Sequence, residues 1–300
     1  MFRGKLSEYL KIELYGRDGS YWCLSGPGMG KEGVVLKPKV SQFMDTPVKT
    51  LYVPGPFGEE FAGKRVQRRE MVFTVQVGGE GIDPETWASI DAAWRWAWDY
   101  EAESKLVVTT SDGVRWINVR LFEAPQSYGD KDPHLTGDEE VVMTVTAVFP
   151  YWQEEPDLYE WETDKDNDRT TFPVHNQGDV TVWPRWSLSA PGSWVLPDFS
   201  WGSDIYSRGD LDLGRTIWIP DLPDLAHAVV DSDPRVQTII CANEYPAQHH
   251  WKGNDLLYPV QPGKRADVPV RVTGANGGAA CRLVVPRWFS RPWSRPVSLL

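Results

Sequence analysis

The chain has 300 residues, 41% of them hydrophobic and 24% charged, which is the composition of a folded protein large enough for two domains. Its net charge of -11 argues against nucleic acid or an anionic membrane surface as the main partner, because like charges repel. The 24 prolines and 26 glycines indicate many turns, so we expect a mainly β fold.

The sequence lacks both targeting segments and paired cysteines, which bears on cellular location and on redox chemistry. The first ten residues have no apolar core of a signal peptide, and no later run is long enough for a membrane helix, so we expect a protein made and kept in the cytoplasm. Cys23, Cys241 and Cys281 stand alone, without Cys-x-x-Cys spacing. They predict buried thiols and argue against a disulfide framework or a zinc site.

The first part of the chain predicts short strands between residues 11 and 53. A Pro/Gly loop follows, Val53-Pro54-Gly55-Pro56-Phe57-Gly58, and residues 61–67 lead from it into the next strand. From Arg69 onward, apolar residues alternate with polar ones, which predicts a strand with one buried face.

A helix is predicted next, because Asp83 suits the cap position and Pro84 the first helical turn. Its apolar stripe, with tryptophans at helical spacing, should lie across a sheet: Trp87, Ile90, Trp94 and Trp98. Two further strands should form a hairpin at Ser111-Asp112-Gly113, since Asp-Gly is a strong hairpin signal. A long strand from Glu139 to Phe149 then closes the first domain.

The second half begins after an acidic stretch at residues 153–168, which lacks apolar periodicity and predicts a solvated connector. Short strand-like runs separated by turn signals then extend from residue 170 to residue 285. This pattern predicts a β-sandwich.

Several short motifs follow one another in the second half: Asn176-Gln177-Gly178-Asp179, Pro184-Arg185-Trp186, Asp231 with Pro234-Arg235, Tyr258-Pro259 with Pro262-Gly263, and Val285-Pro286-Arg287-Trp288-Phe289. In the first half, the strand, helix and hairpin end at Phe149-Pro150-Tyr151-Trp152. In order and spacing these features resemble the distal tail proteins (Dit) of long, non-contractile-tailed bacteriophages, a family also called minor tail proteins.

The resemblance implies a fold and a role. Residues 1–152 would form a tail-tube-like β-sandwich or barrel domain with one packed α-helix, residues 153–168 the connector, and residues 169–300 a galectin-like β-sandwich. The protein would be a virion structural protein of the tail tip or baseplate, assembled in the host cytoplasm, with no enzymatic activity and no cofactor. Its copies would form a hexameric ring that joins the tail tube protein to the tail-tip hub and lets DNA pass without specific binding.

Two sets of residues are candidates for the contacts of such an assembly. The first lies at the Pro/Gly loop, and the second combines arginine with aromatic residues near the C-terminus, a composition typical of interface hot spots. These candidate interface residues are Phe57, Phe61, Trp288, Phe289, Arg291 and Trp293.

A different class of function remains open. The tryptophans of the second half, Trp183, Trp186, Trp194, Trp201 and Trp218, are able to form a platform for sugar rings, as in a carbohydrate-binding protein that recognises a host glycan. Alternatively, these side chains fill the core of the sandwich. A glycan-cleaving enzyme has only the supply of carboxylates in its favour, since their separation is set by the fold.

No sequence pattern predicts a catalytic or metal site. Gly26–Lys31 lacks the glycine spacing and the hydroxyl residue of a phosphate-binding loop. Asp164-x-Asp166-x-Asp168 resembles the start of a calcium loop, but Arg169 and His175 replace its glycine and glutamate. His249-His250 has no third ligand at a suitable spacing.

Overall fold

The structure is a computed structural model that describes residues 10–38, 40–127, 129, 131–251 and 255–293, so the ends of both predicted domains lie outside the described residues. The chain divides into two compact units. The first contains the residues up to Glu154 together with the described segment that starts at Phe289, and the second contains Glu155–Trp288. The described residues 289–293 thus group with the first unit, whereas the sequence-based division placed them in the second domain.

The first unit is built mainly from antiparallel strands. They are β1 (Lys11–Tyr15), β2 (Tyr21–Ser25), β3 (Val34–Leu36), β4 (Val48–Gly55), β5 (Gly58–Val66), β6 (Arg69–Gly78), β7 (Ser104–Thr110), β8 (Gly113–Leu121), β9 (Gln126–Ser127) and β10 (Asp138–Ala147). One sheet has the order β2-β1-β7-β8, and another has the order β8-β10-β6-β3, with β9 also on β10. The core lies between these sheets.

The predicted alternation in β6 is confirmed. Met71, Phe73, Val75 and Val77 are all buried, and β6 pairs with β10 over its full length, so one face of this pair lies on the core. The predicted Asp-Gly hairpin is also confirmed, because β7 and β8 pair up to their connecting turn.

Helix α1 (Pro84–Trp96) packs against the sheet side that carries β6. The Asp83 carboxylate caps it by accepting hydrogen bonds from the backbone N–H groups of Glu85 (3.1 Å) and Thr86 (3.0 Å). Trp94 lies fully in the core, with its ring centroid 5.3 Å from that of Trp22. The predicted apolar stripe is confirmed, although Trp98 lies just past the helix end. Shorter helices are a 3₁₀ turn (Ser41–Phe43), α2 (Pro133–Thr136) and α3 (Ala247–His250).

In the part of the chain that the structure describes, no helix combines the length and the apolar character needed to cross a lipid bilayer.

The second unit is a sandwich of antiparallel sheets around one core. Its strands are β11 (Trp152–Thr163, starting in the first unit), β12 (Asp168–His175), β13 (Arg185–Leu188), β14 (Ser193–Pro197), β15 (Thr216–Trp218), β16 (Ala228–Asp231), β17 (Ile239–Cys241), β18 (Arg265–Thr273) and β19 (Ala279–Phe289). One sheet has the order β17-β16-β13-β19-β11, and the other β12-β18-β14-β15. The predicted mainly β fold class, with a packed helix in the first half and a β-sandwich in the second, is confirmed.

The acidic stretch is not the predicted solvated connector. Most of residues 153–168 belong to β11, in which carboxylates alternate with half-buried aromatic side chains. The neighbouring strand β19 supplies the countercharges: Arg287 donates to Asp157 (2.9 Å) and Arg282 donates to Glu160 (2.6 Å). A run of like charge is therefore accommodated in a strand that has countercharges on its neighbour and aromatic side chains packed against the core.

The Asn176 turn explains one of the motifs noted in the sequence. The buried Asn176 amide donates to the carbonyls of Val180 (2.9 Å) and Val260 (3.0 Å), while its oxygen accepts from the N–H of Gly178 (2.9 Å). A Cβ at Gly178 would lie 2.3 Å from the carbonyl oxygen of Trp288, so only glycine fits there.

Candidate assembly surfaces

Strands β4 and β5 form a two-stranded sheet of their own, here called the hairpin (residues 48–66). They pair with each other from Val48↔Val66 to Gly55↔Gly58, and within the described chain no other strand pairs with them. At about 3.3 Å per residue, each strand is roughly 25–30 Å long. The region was predicted as a loop after Val53. The structure corrects this, because the strands continue to a tight turn at Pro56 and Phe57.

The hairpin exposes apolar side chains along its length. Phe57 at the turn is fully exposed, and the rings of Tyr52 and Phe61 meet edge to face at 6.1 Å between centroids. The exposed apolar set comprises Val48, Leu51, Tyr52, Val53, Phe57 and Phe61. Isolated two-stranded sheets are marginally stable in water, and exposed apolar patches usually mark contact sites. The hairpin therefore has the properties of an assembly element.

The candidate interface residues near the C-terminus lie in different environments. Phe289 is only 2% exposed and belongs to the core of the first unit, against which Trp293 is also packed. Trp288 is half-buried in the second unit. Arg291 is exposed and pairs with Asp45 at 2.7 Å. Because Phe289 is occupied within its own chain, it does not form part of the contact surface proposed below.

Arg69 ties the C-terminal segment to the first unit. Its side chain is 1% exposed, and its nitrogens donate to the carbonyl oxygens of Pro150, Phe43, Asp45 and Ser290 at 2.8–3.0 Å. They also donate to the Thr46 hydroxyl at 2.9 Å. Burial lowers the pKa of Arg69 to about 10, because the charged form loses its hydration. The guanidinium therefore depends on protein oxygens in place of water.

Arg115 holds the same segment from another strand. It is 2% exposed, donates to Glu154 (2.9 Å) and to the carbonyl oxygen of Arg291 (3.0 Å), and lies 3.5 Å from the centroid of the Phe289 ring. This arrangement combines a buried ion pair with a cation–π contact. Residues 289–291 together with Arg69 and Arg115 are called the C-terminal clasp below.

The outward face of β6 and β10 has little positive charge. It carries Glu70, Val72, Thr74 and Gln76 from β6 and Glu140, Val142, Thr144 and Thr146 from β10. The one basic residue of these strands, Arg69, points into the core. Such a face offers hydroxyl and carboxylate groups but no cation that would hold a phosphate.

The second unit has an open groove of about 570 Å³ on the face of the β17-β16-β13-β19-β11 sheet. Val229 and Ile240 are exposed on one side, Glu160 and Glu162 line the other, and Ser187 lies on the central strand β13. Apolar surface beside carboxylate and hydroxyl groups is chemically suited to a polyhydroxylated ligand.

The tryptophans considered for a sugar platform are dispersed. Trp186 and Trp194 are buried in the sandwich core, Trp183 and Trp201 are half-buried, and Trp218 is 55% exposed. The core interpretation is therefore correct for the buried pair, and the five rings do not form one exposed platform.

The aspartates at the calcium-loop-like motif close a turn between β11 and β12. Asp166 accepts from the N–H of Gly277 (2.6 Å), and Asp168 accepts from the Thr163 hydroxyl (2.6 Å) and pairs with Lys165 (3.5 Å). Among the residues that the structure describes, no group of three or more histidines, cysteines, aspartates or glutamates is placed to hold a metal ion.

The three cysteines are buried and unbridged, as the sequence predicts. Cys23 lies in the first unit, and Cys241 and Cys281 lie in the second. Burial raises the pKa of Cys281 to about 12, because the thiolate is poorly solvated there. These thiols should react slowly while the unit around them stays folded.

The fold is similar to that of a solved phage protein. The crystal structure of the Dit protein (gp 19.1) of phage SPP1 matches with a TM-score of 0.58, over 93% of this chain and 99% of that protein, at 12% identity. At this level of identity the likeness concerns the fold alone. SPP1 Dit is described as a paradigm of the hub adsorption apparatus in phages that infect Gram-positive bacteria.

The chain is also similar in sequence to the minor tail protein Gp27 of two mycobacteriophages. It is 27% identical to the protein of Mycobacterium phage D29, over 94% of this chain and 97% of that relative. It is 26% identical to the protein of Mycobacterium phage L5, over 95% and 97%. No family model matches the chain. The resemblance to distal and minor tail proteins noted in the sequence is thus confirmed.

Proposed function

We propose that this chain is a distal tail protein, a structural component of a bacteriophage tail tip. Its copies form a hexameric ring that joins the tail tube protein to the tail-tip hub, and DNA passes through the ring without specific binding. The protein acts as a mechanical connector in the virion rather than as an enzyme, and it is assembled in the host cytoplasm without a cofactor.

The observation that carries the proposal is the similarity to minor tail proteins over 94% of the chain. Similarity across both units, rather than across one, supports a shared role for the whole polypeptide. The Dit fold of the SPP1 protein supports the same role independently of sequence identity.

The hairpin supports self-assembly. Its exposed aromatic residues, Tyr52, Phe57 and Phe61, have the composition of interface hot spots. Burying them against a neighbouring copy would remove apolar surface from water and would stabilise a hairpin that has no sheet to rest on. The hairpin therefore serves as the contact arm of the ring.

The outward face of β6 and β10 suits the wall of the channel. DNA must slide past such a wall, so a face with hydroxyl groups and without free cations is favourable. At the ends of this face, Lys37 pairs with Glu140 (2.9 Å) and Arg68 with Glu70 (2.8 Å), which further limits attraction of phosphate. The net charge of -11 adds a general repulsion.

The ring is tested by the mass and shape of the purified protein. Light scattering should give six times the 34.0 kDa of one chain, and negative-stain images should show an annulus. Antibody labelling of phage particles should decorate the tail tip. A chain that stays monomeric at every concentration and is absent from virions would overturn the proposal.

Matched variants test the role of the hairpin. The double variant Phe57→Ser with Phe61→Ser should weaken self-association by about a hundredfold, since each buried interface aromatic contributes roughly 1–2 kcal/mol or more. Leu135→Ser is the control, because Leu135 is 83% exposed in the same unit but lies outside the hairpin. Equal losses in both variants would exclude the hairpin as the contact arm.

The groove of the second unit supports a second candidate, a carbohydrate-binding protein that recognises a host surface glycan. Titration with cell-wall polysaccharide should then show binding that Glu162→Gln weakens and Trp218→Ala leaves unchanged, because Glu162 lines the groove and Trp218 does not. A monomer that binds sugar in this way would favour this candidate over the ring.

A further inference from the structure

The C-terminal clasp lies at the root of the hairpin. Asp45 and Thr46 come just before β4, and Arg69 is the first residue of β6, just after β5. The segment from Phe289 bonds to both sides of this root. The Ser290 carbonyl accepts from Arg69 (2.8 Å) and from the Thr46 hydroxyl (2.9 Å), and Arg291 pairs with Asp45.

The root is also attached to the rest of the first unit: Phe43 is buried, its carbonyl accepts from the indole N–H of Trp152 (3.1 Å), and Arg69 pairs with Ala147 on β10. The backbone N–H of Gln67 bonds to the carbonyl of Pro47 (3.0 Å), which joins the two hairpin strands to each other but not to the core. The core side is held by Arg69, whose other acceptors include the carbonyl of Phe43. Loss of Ser290 would remove one acceptor from the buried guanidinium, which is costly where water cannot replace it.

Phe289 fixes the segment in place. Its ring is buried and lies against the Arg115 guanidinium, so removal of the ring would leave a cavity beside a buried charge. The contacts are also far apart in sequence, since Arg69 and Ser290 are separated by 221 positions. During synthesis, the root of the hairpin can therefore be completed only after residues 289–291 have been made.

We propose that residues 289–291 regulate assembly by anchoring the root of the hairpin, so that only a chain with its C-terminal segment docked presents a fixed contact arm. The part of this proposal that concerns assembly rests on the proposed function, because it requires that the copies form a ring. An incomplete chain, or one with this segment detached, carries a hairpin with a loosened root and is excluded from the ring.

The test uses the full-length chain at a concentration where it is dissociated. In Phe289→Ala, hydrogen exchange at residues 43–47 and 67–71 should be at least about tenfold faster than in the unaltered chain, because local opening becomes easier. Labelling of Cys281, which lies in the second unit, should keep its original rate. Self-association of this variant should also weaken, although the hairpin sequence is intact.

Val285→Ala is the matched control, since Val285 is fully buried on the same strand β19 but in the second unit. It should speed labelling of Cys281 and leave exchange at the hairpin root unchanged. Unchanged root exchange in Phe289→Ala, or equal acceleration in Val285→Ala, would overturn the proposal.

Thr46→Val is the second variant, for use if Phe289→Ala does not fold. It removes the hydroxyl between Arg69 and Ser290 with little change in volume, and it should also speed exchange at the root. Hydrogen exchange is measured on the dissociated chain, so its result is independent of whether a ring forms. If the unaltered chain never self-associates, the proposed function fails while this exchange still decides whether the clasp anchors the hairpin.

Discussion

The hairpin and the β6–β10 pair are close in sequence and both are antiparallel, yet they use their side chains differently. In β6, every second side chain from Arg69 to Val77 is buried, whereas β4 and β5 have no buried side chain at all. Both regions are rich in apolar residues. The apolar surface of β6 is therefore buried within the chain, whereas that of the hairpin is exposed to solvent in the single chain.

The strongest test of this difference is Phe73→Ala. Phe73 is buried between the sheets, with its ring 5.7 Å from that of Phe43, so the variant should lose about 3–5 kcal/mol of unfolding free energy. Denaturant unfolding measures this loss. Val72→Ala is the control on the same strand, because Val72 faces outward, and a comparable loss there would contradict the assignment of the two faces.

A smaller effect is expected at the helix that packs against β6. Asp83→Ala removes the cap of α1 and should lower the unfolding free energy by about 1 kcal/mol. Asp83→Asn should stay close to the unaltered chain, since the asparagine side chain also accepts from the first N–H groups. Thermal unfolding that fails to separate these two variants would argue against the cap.

The smallest effect on stability is expected in the hairpin. In the dissociated chain, Phe57→Ser with Phe61→Ser should change the unfolding free energy by no more than about 0.5 kcal/mol, because neither side chain is buried. Denaturant unfolding at low protein concentration is the measurement. A loss as large as that of Phe73→Ala would mean that the hairpin packs on its own chain, and the comparison above would then fail.

The parts that sequence predicts well are those with local signals. The alternation in β6, the Asp83 cap and the turn at Asp112-Gly113 each depend on residues close together, and each is present in the structure. The hairpin was missed as a pair of strands because neither of its faces is buried, so no alternation marks it. Its turn residues, Pro56 and Phe57, predicted a loop and did not indicate the length of the flanking strands.

The remaining features depend on partners distant in sequence. In strand β11, the acidic run finds its countercharges, Arg282 and Arg287, on the adjacent strand, and Tyr159 and Trp161 pack against the core. Likewise, nothing near Phe289 indicates that it belongs to the first unit. For the assembly surface, the sequence predicts that Phe57 and Phe61 are available for contact, and their exposure is consistent with this, but the place of Phe289 follows from contacts with Arg115.

The two neighbours of Arg115 also have a consequence for the evolution of the chain. Glu154 ends one part of the first unit and Phe289 begins the other, and both contact the same guanidinium. The second unit is therefore an insertion whose entry and exit points lie side by side. Both places where the chain leaves and re-enters the first unit would lose a buried partner if Arg115 were replaced, so we expect little tolerance for substitution at this position.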